Sequence, residues 1–154
     1  PEAAPAPAPA PAAAKAGALD PEKEIAYHLK AARRYAGAKR YRSAAAEYGA
    51  AAGFMAAADG RLVHTGERQG AMLLRAGDTA KAQPFFQAAA AKADELKAAG
   101  RDAVNAYLGL GYCQELGKKT AEAVASYEKA LALADDPKVK AKIAKTLDGL
   151  KKAK

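Results

Sequence analysis

Few residues of this chain are equipped for covalent or metal chemistry, and their spacing keeps them apart. His28 and His64 are the only histidines, and neither has a second His, Cys or carboxylate at a convincing ligand spacing, so no metal site is expected. His28 reads as a core-edge residue of the first helix. Cys113 is the only cysteine; it can form no disulfide within the chain. Flanked by Leu110, Tyr112 and Leu116 with no base in view, it reads as a small buried hydrophobe rather than a nucleophile. Gly109 and Gly111 fall mid-helix, without the preceding strand and the Gly-Lys-Ser/Thr of a phosphate loop. The expectation is a protein with no catalytic residues, no metal and no cofactor.

Charge is the remaining chemistry. The formal net charge is +8 at pH 7, and it is unevenly placed. Lys30, Arg33, Arg34, Lys39, Arg40 and Arg42 face only Glu47 in one stretch, while seven lysines from Lys138 to Lys154 face only Asp148. The second run reads either as the solvated face of a terminal helix or as a basic end for nucleic acid, anionic lipid or an acidic partner. It has no interleaved aromatics or known binding motif, so nucleic acid and membrane surfaces are disfavoured.

The elements that carry these residues are helices. In 154 residues Ala dominates the apolar half, Trp is absent and β-branched and aromatic residues are sparse, a composition for one all-α domain without a sheet. Charges interrupt every Ala-rich stretch well before the roughly 18 residues a membrane-spanning helix needs. Pro1 to Leu19 alternates Pro with Ala at first and lacks periodicity, so it reads as a polyproline-like arm or linker. Such a start, without methionine, fits a linker exposed by signal-peptide removal or a segment of a longer protein. A periplasmic or exported bacterial setting is favoured over a cytoplasmic one.

The folded domain is expected over residues 20–154. Asp20 and Pro21 form a helix start, with Glu22 and Glu24 complementing the positive end of the dipole. Breaks at Gly37, Ala58–Gly60, Gly77, Ala99–Gly100, Gly117 and Asp135–Pro137 divide the rest into seven helices of about 15 to 20 residues. Gly77 and Gly117 read as helix stops, with Asp78 and Thr120 capping the next helices. Pro84 should kink its helix or delay its start.

One pattern recurs three times: Ala44, Tyr48 and Ala51; Ala82, Phe86 and Ala89; Ala123, Tyr127 and Ala130. On one helix face, the small residues let a neighbouring helix approach while the ring fills the gap. The third copy also has Tyr107, Leu110 and Gly111 before it, and Leu131, Asp136 and Pro137 after it. The second has Gly70 and the turn Gly77–Asp78. The first has Tyr35 and Tyr41, with Ala32 where a glycine is common. From Ile25 to Pro137 this resembles the tetratricopeptide repeat family. The copies recur at spacings of 38 and 41 residues against about 34 for the family, which implies longer second helices. Gly117 falls one position early for the family's turn, so the third copy's first helix fits two registers one residue apart.

The resemblance implies an α-α superhelix of about three hairpins, over residues 25–58, 63–96 and 104–137. A solvating helix over 137–151 would follow, its stripe of Val139, Ile143, Leu147 and Leu150 facing the array. It also implies a non-enzymatic scaffold that holds a protein or peptide in a concave groove built by the first helices. Placing the family's inward positions on this chain gives Lys30, Arg33, His64, Glu67, Arg68 and Arg75, with Asn105 and Tyr112 from the third repeat. The cations resemble a carboxylate clamp in character only. Either they converge on an acidic ligand, or they are solvated or paired with Glu67 and neighbouring carboxylates. The alternative function is a basic module that uses the Lys-rich terminal helix on nucleic acid or anionic membranes.

Overall fold

The first helix starts where an acid and a proline meet. The Asp20 carboxylate accepts the Glu22 amide at 3.1 Å, and Pro21 occupies the first helical position, where no amide is needed. Asp136 and Pro137 repeat the device at the last helix, with the Lys138 amide at 2.8 Å. The computed structural model describes residues 19–153, and the arm expected over residues 1–19 lies outside them except for Leu19. Seven helices follow in order: α1 (Pro21–Gly37), α2 (Tyr41–Gly53), α3 (Arg61–Arg75), α4 (Thr79–Glu95), α5 (Arg101–Leu116), α6 (Thr120–Leu133) and α7 (Pro137–Lys152). No strand occurs among the described residues. Each helix packs on the next, and α3 also packs on α5, giving three stacked hairpins closed by α7.

The turns differ from expectation in which residue bends the chain. In the second hairpin Gly77 is left-handed, at φ 80°. There Asp78 N–H donates to Leu73 and Gly77 N–H to Leu74, both at 2.9 Å, a Schellman closure of the helix end. The first and third hairpins close in the same way, but the left-handed residues are Lys39 (φ 58°) and Lys118 (φ 60°). Lys97 (φ 50°) does so after α4. Gly117 keeps φ at −79°, so it is not the stop; the bend falls one residue later. The caps shift as well. Thr120 is the first residue of α6, behind Lys119, and Asp78 makes no cap bond, its carboxylate lying 3.4 Å from Lys81.

Helix α4 starts at Thr79 and runs through Pro84, so the start is not delayed. Pro84 removes a donor from the Ala80 carbonyl, but both residues are exposed, where water can satisfy that oxygen. The long repeat spacing also has two sources. Helix α4 is long at 17 residues, whereas α2 has only 13 and its extra length lies in the connector 54–60.

The core is built from small residues beneath rings. Ala32 lies with Tyr48 in one cluster; Gly70 faces Phe86 and Gly111 faces Tyr127, at the same sequence separation. A Cβ on Gly111 would stand 3.0 Å from the Tyr127 ring, so Ala32 marks a looser packing of the first hairpin. Ala44, Tyr48, Ala45 and Met72 form one apolar cluster with Ala32, distinct from the small group Val63, Ala93 and Ala103. A larger one runs from Phe86 on α4 to Ile143 and Leu147 on α7, and Ala71 and Leu73 of α3 pack against both. Burying Ile143 and Leu147 stabilises the array by about 1.5–3 kcal/mol each, which holds α7 in place.

Candidate binding groove

His64, Glu67, Arg68, Ala71 and Arg75 recur at helical spacing and share one face of α3. Helix α5 lies alongside and presents Asp102, Asn105 and Gly109 at its own helical spacing. Glu67, Arg68, Arg75, Asn105, Ala71, Leu74, Gly109 and Phe86 line one cleft of about 310 Å³ between the two helices. Its floor is aromatic although Phe86 belongs to α4. The ring reaches between the first helices because both offer glycine there: a Cβ would stand 2.8 Å from it on Gly70 and 2.2 Å from it on Gly109.

Glu67 is the unusual group. Its side chain is 3% exposed, with Arg68 Nε 3.1 Å from Oε1. That nitrogen is off the line a hydrogen bond needs, so Oε1 has ion-pair proximity but no hydrogen-bond partner among the described residues. Burial holds the Glu67 pKa above the ordinary carboxylate range; Arg68, the first opposing influence, pulls it down, and Asp102 pushes it further up. His64 Nδ1 lies 3.2 Å from Asp102 Oδ1, and its ring meets Tyr48 edge-on at 6.1 Å. Arg75 carries its guanidinium 5.9 Å from the Tyr41 ring.

Of the residues expected in the groove, Glu67, Arg68, Arg75 and Asn105 line this cleft, and His64 joins it at one end through Asp102. Lys30 and Arg33 are exposed on α1 and Tyr112 is 47% exposed on α5; none of these three lines the cleft. Asp102 and the Phe86 floor were missed. Asp102 meets His64 across 38 residues of sequence, which no local spacing reveals. The floor had a signal in Gly109, a mid-helix glycine that served no turn.

The other reactive side chains are accounted for by packing. Cys113 is 1% exposed and burial pushes its thiol up. His28 Nδ1 lies 2.7 Å from Glu47, with the imidazole stacked on Phe54.

Stacked helical hairpins whose first helices share a groove define a helical-repeat scaffold. The family model of the tetratricopeptide repeat matches residues 63–136, which span α3 to α6; over these residues the chain carries tetratricopeptide repeats. No curated protein matches it. The first hairpin lies outside the match but repeats its architecture, with Ala32 and Tyr48 in place of Gly70 and Phe86.

Proposed function

We propose that this chain is a protein-interaction scaffold whose cleft between α3 and α5 holds an acidic peptide or an acidic segment of a partner protein. The fold supports the general role, since tetratricopeptide arrays characteristically bind proteins or peptides. The observation that carries the ligand class is the placement of Arg68 and Arg75 on one wall above the apolar Phe86 floor. Arg68 is turned to Glu67 through Nε, leaving the terminal nitrogens of its fork for a ligand carboxylate. Phe86 would take an apolar side chain beside that carboxylate. Lys30 and Arg33 add positive charge on the neighbouring first helix and would speed encounter rather than fix the bound pose.

A fluorescent acidic peptide with a central apolar residue, followed by anisotropy, tests this. Binding should weaken with salt and disappear in Arg68→Glu/Arg75→Glu, with helicity retained. It should survive Lys138, Lys140, Lys142 and Lys145 all changed to Gln. The reverse pattern would move the ligand to α7 and sink the groove reading.

A further inference from the structure

His64, Glu67 and Asp102 each offer one ligand atom, and these atoms all lie within 4.8 Å of one another. We propose that the three side chains form a binding site for a first-row divalent transition metal, with zinc as its representative, joining α3 to α5 at one end of the cleft. His64 and Glu67 stand one turn apart on α3, so their side chains project from the same face. Asp102 reaches them from α5 and already holds His64 Nδ1 at 3.2 Å.

The donors suit such an ion: one imidazole nitrogen and two carboxylates, carrying two negative charges against the two of the metal. A second observation points into the same cluster. Glu67 is a buried carboxylate whose Oε1 makes no hydrogen bond, although Arg68 Nε stands 3.1 Å from it, so one of its lone-pair sites is left without the directed partner that burial demands. Metal bonds of about 2.0–2.2 Å require the three atoms to close on one another by on the order of 1 Å, within reach of side-chain rotation. The metal replaces the His64–Asp102 contact, and its remaining positions carry water. Arg68 and Arg101 near Glu67 oppose the ion, which makes the affinity moderate. The site stands independently of the peptide proposed above.

The full chain is titrated with cobalt(II) and with zinc, following cobalt absorption, melting temperature and the imidazole NMR signals. Binding to a single site with micromolar affinity is expected, shifting the His64 ring and not the His28 ring. The melting temperature should rise, because the metal binds only the folded form. Asp102→Asn, at a half-exposed position that does not build the core, should weaken binding by more than about tenfold. His64→Gln and Glu67→Gln should do the same, whereas His28→Gln should leave it unchanged. Millimolar affinity, undiminished binding in Asp102→Asn, or loss confined to His28→Gln would each overturn the site.

Discussion

Gly109→Ala should destabilise the protein, although the same change in an unobstructed helix stabilises by up to about 1 kcal/mol. The added Cβ would stand 2.2 Å from Phe86 Cε1 and 2.4 Å from Cζ, where carbon atoms rest at about 3.5–4.0 Å. The ring has no room to yield. It is 2% exposed, and its other edge lies against the Gly70 backbone. Helix α5 must therefore retreat by about 1 Å or more, loosening its seam with α3. Overpacking costs about 1–3 kcal/mol, and a contact this short belongs at about 2–3 kcal/mol of that range, so a net loss of about 1–2 kcal/mol remains after the propensity gain. Urea unfolding measures it, with the slope checked because repeat arrays can lose all-or-none behaviour. Gly149→Ala is the control, since a Cβ there meets nothing within 4 Å; its midpoint should rise. Phe86→Leu combined with Gly109→Ala should recover part of the loss. A midpoint for Gly109→Ala that rises as in the control would refute the wedged ring.

Lys118→Gly should stabilise by about 0.5–1 kcal/mol, because a left-handed lysine costs about 1–2 kcal/mol and glycine returns part of that gain as unfolded-chain entropy; an unchanged or lower melting temperature would count against the φ of 60°. Ile143→Asp places an unpaired charge at a 2% exposed position and should cost several kcal/mol, read as an early urea transition; unchanged stability would mean that α7 is not docked. Alkaline titration tests the buried phenols. Burial and the Asp94 bond push Tyr107 up to about 12 from 10.0, and burial and Glu115 push Tyr127 up as well. Both raised values favour the protonated form in the folded state, so stability should hold below pH 10 and fall as pH rises from 10 towards 12. Ultraviolet titration of the wild type against Tyr107→Phe and Tyr127→Phe should show Tyr107 and Tyr127 ionising late and together with unfolding. Ionisation of these two phenols before any loss of helicity would contradict this.

The features legible in the sequence were those written locally. Asp20 with Pro21 and Asp136 with Pro137 set two helix starts through bonds between near neighbours, and the rings at Tyr48, Phe86 and Tyr127 marked the second helix of each hairpin. What was obscured depended on geometry one step further away. A Schellman closure fixes the position of the left-handed residue relative to the last carbonyls, not its identity, so lysines at 39 and 118 took the bend despite nearby glycines. Part of the longer spacing lies in the connector 54–60 and not in a helix, and counting residues between Ala44 and Ala82 does not distinguish the two. The groove was legible on α3, where four positions follow one helical stripe. It was not legible across helices, where Asp102 and the Phe86 floor depend on how α5 and α4 stack.

The Tyr48 cluster and the Phe86 cluster, with Ala71 and Leu73 of α3 packed against both, also have a mechanical meaning. Helices α1 and α2 form a small block and α4 to α7 a larger one, and α3 is their party wall. Thermal opening should therefore begin on the α1–α2 side, where the fewer buried groups leave amide exchange governed by small local openings, and proceed last through α4 to α6. Because Arg68 and Arg75 stand on the party wall itself, a ligand gripping them braces both blocks at once. Binding in the cleft should then be felt as slower amide exchange in α1 and α2, which the ligand does not touch.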